Sequence, residues 1–573
     1  MTAPPTPPGA EWWRHAVIYQ IYPRSFADSD GDGVGDLPGI VARLGAVADL
    51  GADAVWLSPF YRSPMNDAGY DVADYRDVDP LFGTLADAEA LVGEAHRLGL
   101  RVIVDLVPNH TSSEHAWFRA ALAAGPGSPE RARYVFRDGH GADGGEPPNN
   151  WRSAFGGAAW TRVTEADGRP GQWYLHLFDT TQPDLDWSNR EVHDEILSVM
   201  RFWLDRGVDG FRVDVAHSLV KAEDLPHWHY PEDDPGTSPS EEDPDETRPP
   251  MWDQEGVHDI YREWRTLLDS YDGERMAVAE AWVSPYSRLA RYARPDELHQ
   301  AFNFVHLEAP WRAPDQRRVI DLSLAGSGEH GAPVTWVLSN HDVVRHATRL
   351  GYPPEDPVGT SRAGIGPRDP QPDAELGLRR ARAATLTMLG LPGSAYLYRG
   401  EELGLPEATT LPDAVRQDPG FHRSDGSWTG RDGCRVPIPW QGDAPSYGFG
   451  PGAASWLPQP PSWAELSRAA QEGVAGSTLE MYRRALGLRR ELGLGVGGRA
   501  DLVWLDGHDP ATTVAYRREV PGGAVAVLAN LGPDVVELPD GAELLVSSAP
   551  LTVTDAGPAL GTDVAAWVRL PAG

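Results

Sequence analysis

Apolar runs that end on a carboxylate recur along this chain, and they constrain its fold more than any other feature. They are RVIVDLV around Asp105, GFRVDV with Asp214, MAVAEAW with Glu280 and VTWVLSNHD with Asp342. A strand buried on both faces reads as an unbroken apolar run, and such strands belong to parallel sheets covered by helices. An acid placed where the run ends lies at the rim of the sheet, where active sites are built. A single Asp there would be an ordinary helix cap. Three acids together, with Arg212 two residues before Asp214 and on the same strand face, argue for catalysis. Arg212 is expected to lower the pKa of Asp214. Trp282 gives Glu280 an apolar setting suited to proton donation. An ionised carboxylate and a proton-donating carboxyl are the equipment of glycoside hydrolysis.

Strands and helices alternate through the first four-fifths of the sequence. Strands are predicted at 16–26, 54–60, 101–107, 210–215, 275–282, 299–304, 334–340 and 394–399. Helical periodicity marks Ile40, Leu44, Val47 and Leu50, then 85–98, 191–206, 256–269 and 375–389. Eight strands with helices between them predict an α/β fold, a (β/α)8 TIM barrel. Residues 109–186 are too long for a loop and carry GPGSP, GHGADGGEPPNN and ADGRPG, which predicts a small domain inserted after the third strand. The barrel then occupies 1–108 and 187–490, and the short alternating runs of 491–573 predict a C-terminal antiparallel β domain. YPEDDPGTSPSEEDPDETRPP, after the fourth strand, reads as a solvated loop crowding the catalytic face.

A formal net charge of −34 excludes a nucleic-acid partner, which needs a basic surface. No apolar stretch is long enough to cross a bilayer, and MTAPPTPPGAEWW has no basic region followed by an apolar one, so a cytoplasmic enzyme without a membrane partner is expected. Cys434, the single cysteine, can form no internal disulfide. Lys221 is the only lysine, which reads as a coding bias without functional meaning.

In this order, DLVPNH, GFRVDVAH, AEAW and LSNHD resemble the four signature regions of the α-amylase superfamily, glycoside hydrolase family 13. GDGVGDLPGI, NDAGYDVADY, NNWRSAFGG, QPDLDW, YRGEELGLPE and RDGCRVPIPW narrow the likeness to exo-acting α-glucosidases related to oligo-1,6-glucosidase, over most of residues 12–440. The resemblance implies Asp214 as nucleophile, Glu280 as acid and base, and Asp342 as a third acid gripping sugar hydroxyls, beside Arg212. It further implies that His110, His341, Tyr70 and Phe155 surround the same glucose, and that Asp67 and Arg435 bind the terminal hydroxyls and close the pocket. The partner is then a small oligosaccharide or α-glucoside, with no cofactor for catalysis; oligomeric state is left open. A transglucosylase, or an isomerase of the trehalose or sucrose type, is the alternative, and an inactive scaffold homologue a weaker one. Three departures stand out: Asp186 where oligo-1,6-glucosidases commonly have Asn, Val215 after the nucleophile, and Val305 with His306 where relatives often show an acid and an aromatic.

DSDGDGVGD offers oxygen ligands at Asp28, Asp30, Asp32 and Asp36, with the Val34 carbonyl. It is similar to the start of an EF-hand loop but lacks the closing Glu. Relatives hold Ca²⁺ or Mg²⁺ in a matching loop, and clustered acids repel unless a cation joins them, so a structural ion is expected.

Overall fold

The computed structural model describes residues 11–230, 248–354, 364–555 and 557–571. Eight parallel strands are present: β1 (Val17–Ile21), β2 (Ala54–Leu57), β3 (Arg101–Leu106), β4 (Gly210–Val213), β5 (Met276–Ala279), β6 (Gln300–Ala301), β7 (Thr335–Val337) and β8 (Ser394–Tyr398). They pair in the order β6-β5-β4-β3-β2-β1-β8-β7. Beyond β6, Asn303 N donates to Thr335 O of β7 at 3.3 Å, so the sheet curls back on itself as a barrel.

Alternation along each strand sorts its side chains. Ile18, Trp56, Ile103, Val278, Val337 and Tyr396 pack together inside the barrel. Val17, Tyr19, Val55, Leu57, Val102 and Val104 face outward onto Ile40, Leu44, Val47 and Leu91 of the surrounding helices. Both faces are dry, which is why the strands read as continuous apolar runs.

The helices begin where the sequence supplies a cap. Side chains of Asp36, Thr84, Asn189 and Asp373 accept backbone N–H groups at the starts of α1 (Leu37–Leu50), α2 (Leu85–Arg97), α3 (Arg190–Leu204) and α4 (Ala374–Leu389). On α3 the buried residues Val192, Ile196, Val199, Met200 and Trp203 recur at helical spacing and form one stripe.

Every strand is shorter than predicted, and for three of them the local cause is visible. The first stops at Ile21 because Pro23 opens a turn at Pro23–Ser25 and supplies no N–H to a ladder. The fifth ends at Ala279, leaving Glu280 and Trp282 on the loop beyond it. The sixth is reduced to Gln300–Ala301, since the Asn303 side chain accepts from His306 N at 3.1 Å and starts a helix at Phe304–Glu308.

Between β3 and α3 the chain forms a three-stranded antiparallel sheet of Phe136–Arg137, Trp160–Thr164 and Pro170–Leu175, with its own core of Val135, Trp151, Trp160, Leu175 and Leu177. Most of the acid-rich stretch at 230–250 lies outside the described residues. At the C-terminal end, a five-stranded antiparallel sheet packs on α4: Tyr516 OH donates to Thr387 O at 2.6 Å and Trp567 Nε1 to Leu386 O at 2.9 Å. Gly390 permits this approach, because a Cβ there would lie 2.6 Å from both Tyr516 Oη and Val527 Cγ2. Among the described residues no helix is long and apolar enough to cross a membrane.

Candidate active site

Register brings the distant acids level. Leu106 pairs with Val213 and Val213 with Ala279, so the residues that follow leave the sheet at one height. Asp214 N donates to Leu106 O and Glu280 N to Val213 O, both at 2.9 Å. Asp105 and Arg212 lie one step below.

Arg212 holds this cluster together. Its Nη1 lies 3.0 Å from Asp105 Oδ1 and 2.7 Å from Asp214 Oδ1, and its Nη2 lies 2.8 Å from Glu280 Oε2. Nucleophile and acid candidates thus sit on the two nitrogens of one guanidinium. Glu280 also accepts from Val215 N at 3.0 Å and from Trp282 Nε1 at 3.1 Å. Val215 turns its N–H onto Glu280 with φ at +37°, a conformation a β-branched residue adopts only under strain.

Three carboxyl groups share that one cation. Burial pushes Asp214 well above the usual carboxylate range; Arg212 is the leading opposing influence, and Glu280, Asp105 and Asp342 push it further up. The expectation that Arg212 leaves Asp214 below its ordinary value is therefore corrected: desolvation and neighbouring acids outweigh a shared guanidinium. Burial likewise raises Asp105 to about 7 against the pull of Arg212. Burial thus opposes ionisation at both Asp214 and Asp105, with Arg212 pulling the other way.

Asp342 has the opposite surroundings. Burial would raise its pKa, but His341, Arg431 and Arg435 together hold it below the ordinary range. Its Oδ1 lies 2.9 Å from Arg431 Nη1 and 3.0 Å from Arg435 Nη2, and its Oδ2 lies 3.2 Å from His341 Nε2. The cation on Asp67 is Arg431, at 2.9 Å. Arg435 instead donates through Nε to the His341 carbonyl at 2.9 Å. Arg431 also reaches Asp418 at 2.6 Å, so one side chain joins three loops. Asp67 is raised to about 6 by burial, against Arg431 and Arg435.

His341 and Tyr70 stack with their rings 5.3 Å apart and 9° from parallel. Tyr70 OH donates to Asp105 Oδ2 at 2.8 Å and lies 2.5 Å from His341 Nε2, while Gln20 Nε2 lies 2.7 Å from His341 Nδ1. That pattern assigns the His341 proton to Nε2. His110 is buried beside Tyr70 O and Gln182, and Gln182 donates to Asp67 Oδ2 at 3.1 Å. Phe155, half-buried, lies beneath the Arg431 guanidinium at 5.1 Å and edge-on to Phe178. The structure thus brings Asp67, Tyr70, His110, Phe155, Arg212, Asp214, Glu280, His341, Asp342 and Arg435 to one end of the barrel.

Asp105, Gln182, Asp418 and Arg431 belong to the same network and were not among the sequence candidates. RDGCR carried the signal for Arg431, since it places two arginines one helical turn apart. His306 is turned away: it lies in the core with its ring edge-on to Trp336. Next to Glu280, Trp282 stacks on Phe304 at 3.6 Å and 5°.

Farther off, carboxylate oxygens of Asp28, Asp30 and Asp36 lie within 4.8 Å of one another. Asp28 accepts from the backbone N–H groups of Asp30, Gly31 and Gly33, and Asp36 caps α1 through Gly39 N. Burial, with Asp32 and Asp30 adding to it, raises the Asp28 carboxyl. Asp32 is exposed and stands outside the trio, its Oδ1 turned back on Val34 N at 2.7 Å. Three hard oxygen donors fit a divalent cation such as Ca²⁺ or Mg²⁺.

The model of the α-amylase catalytic domain matches residues 20–494, a span that includes all of these acids. The chain belongs to the α-amylase family. It is accordingly a glycoside hydrolase of family 13 by descent. A probable α-glucosidase of Rhizobium meliloti (strain 1021) is 41% identical over 497 residues, covering 84% of this chain and 83% of the relative. The oligo-1,6-glucosidase of Parageobacillus thermoglucosidasius is 34% identical over 566 residues, covering 92% of each. Among solved structures, an α-glucosyl transfer enzyme, XgtA, superposes with a TM-score of 0.83 at 38% identity, covering 98% of this chain and 100% of that one. That superposition extends over barrel, insertion and C-terminal β sheets.

Proposed function

We propose that this α-amylase family member is a retaining, exo-acting α-glucosidase that releases glucose from the non-reducing end of short α-glucosides. The observation that carries the reading is the pair of carboxyl groups, Asp214 and Glu280, held at opposite ends of the Arg212 guanidinium. In the first step the Glu280 carboxyl gives its proton to the glycosidic oxygen as the bond from that oxygen to C1 breaks. Asp214 then bonds to C1, forming a glycosyl ester. In the second step ionised Glu280 takes a proton from water, the water oxygen bonds to C1, and Asp214 leaves as carboxylate. Asp342, kept ionised by three cationic or donor groups, accepts hydroxyl hydrogens of the same sugar.

Exo action is supported by Arg431, which ties Asp67, Asp342 and Asp418 into one wall beside the two carboxyl groups. Asp28, Asp30 and Asp36 would hold a structural divalent cation that braces the loop before α1 and takes no part in bond cleavage. The experiment is hydrolysis of maltose and isomaltose followed by NMR: α-glucose as the first product supports the reading, and β-glucose refutes it. A transfer reaction is the second reading, favoured by the Trp282–Phe304 stack beside Glu280, an apolar surface on which an acceptor can displace water. Disaccharide products outnumbering free glucose from maltose or sucrose would decide for it.

A further inference from the structure

Lys221 is the single lysine of the chain, and its side chain is only 6% exposed. The ammonium lies 2.8 Å from Asp184 Oδ2 and 2.8 Å from Asn109 Oδ1. Three segments meet there: the end of β3, the end of the inserted sheet region and the loop after β4. A coding bias explains why lysine is scarce, and leaves open what the one retained lysine does.

A lysine ammonium only donates, so the Asn109 carbonyl must face it and the Asn109 amide must face the other way. There Asn109 Nδ2 lies 3.1 Å from Asp184 Oδ2 and 3.2 Å from His110 Nδ1. A ring nitrogen that accepts from an amide carries no proton, which leaves the His110 hydrogen on Nε2. Tyr70 O, an acceptor, lies 3.2 Å from that nitrogen. Gln182 Nε2 is also 3.2 Å away, and it directs one amide hydrogen to Asp67 Oδ2 at 3.1 Å. Tyr70 O, the one acceptor at this nitrogen, decides the tautomer, so Gln182 makes no hydrogen bond to the protonated Nε2. Nε2 is therefore the His110 nitrogen on the Asp67 side.

We propose that Lys221 is a positioning residue: through Asn109 it fixes His110 with its proton on Nε2, so that the ring donates to one hydroxyl of the bound glucose. The proposal rests on the glucosidase reading above and adds to it the device that sets a donor. Burial also depresses His110 to about 4, which keeps the ring neutral and gives the tautomer meaning.

Lys221→Met keeps side-chain volume and removes the charge. Wild type and variant are compared on p-nitrophenyl α-glucoside and its monodeoxy analogues. Loss of one directed hydrogen bond should lower kcat/KM on the parent by about tenfold or more. At one deoxy position the wild-type advantage should fall close to unity, because there the hydroxyl is already gone. Asn109→Asp, whose carboxylate cannot donate to Nδ1, should show the same fingerprint at the same position. A loss of equal size on every analogue, as a general loosening would produce, or no loss on any, overturns the proposal. If Lys221→Met does not fold, wild-type protein labelled with lysine ε-¹³C gives one lysine resonance. Saturating glucose should shift it, and an unmoved signal overturns the proposal. Wild type inactive on every α-glucoside would refute the glucosidase reading instead, and the glucose titration would still decide the role of Lys221.

Discussion

Arg431 lies 2.9 Å from Asp67, a carboxylate 364 residues earlier in the chain. The same guanidinium meets Asp342 at 2.9 Å, so the loops after β2, β7 and β8 share one cation. Replacing Arg431 with Leu leaves Asp67, Asp342 and Asp418 facing one another. Removing one partner of a buried ion pair costs about 3–5 kcal/mol. The unfolding midpoint should fall, and kcat/KM on maltose should drop by more than about a hundredfold. Arg435→Lys, which spares the Asp67 contact, should be milder in both assays.

Asp105 gives the site a stability signature in pH. Its folded-state value of about 7 stands above the ordinary 3.8, so the folded protein binds the proton more tightly than the unfolded chain. Its stabilising contribution is complete below the unfolded value and is lost as pH rises to about 7. Asp105→Asn mimics the protonated form. The gap in unfolding midpoint between the variant and wild type should therefore widen in the variant's favour from pH 4 to pH 7 and level off above. A gap independent of pH would show that Asp105 is ionised throughout.

Calcium should stabilise without accelerating. An ion present at a hundred times its Kd adds about 2.7 kcal/mol to a folded state that alone binds it. Thermal unfolding with Ca²⁺ against chelator should show that shift in wild type, and Asp28→Asn should abolish it while kcat stays unchanged. Equal midpoints with and without the ion in wild type would exclude the site.

Gly390→Val tests the seam between α4 and the C-terminal sheet. Its side chain would meet Tyr516 Oη and Val527 Cγ2, both 2.6 Å from an added Cβ. Overpacking of this kind costs about 1–3 kcal/mol, visible as a lower denaturation midpoint with unchanged KM.

The barrel was legible in the sequence because its strands are dry on both faces and therefore unbroken in hydropathy. Asp214 and Glu280 were legible because each ends such a run. Pairing within the network was not. Arg431 and Arg435 stand four residues apart, and spacing alone could not say which one meets Asp67. Nor could it show that Asp105 and Glu280 share Arg212 with Asp214, which reverses the direction of the Asp214 shift. The sixth strand was overread because FNFVHL is as apolar as a strand; the Asn303 cap that turns it into a helix depends on one side-chain rotamer. Lys221 carried no pattern at all, since a lone buried cation is identified only by what surrounds it.

The most direct test of the account is to trap the glycosyl ester. Glu280→Gln is treated with α-glucosyl fluoride, whose leaving group needs no proton, so that the first step proceeds and the second stalls. Intact-mass and peptide analysis should find one glucosyl group on Asp214. An unmodified protein under conditions where wild type turns over the fluoride, or a glucosyl group on any other residue, would contradict the assignment of Asp214 as nucleophile.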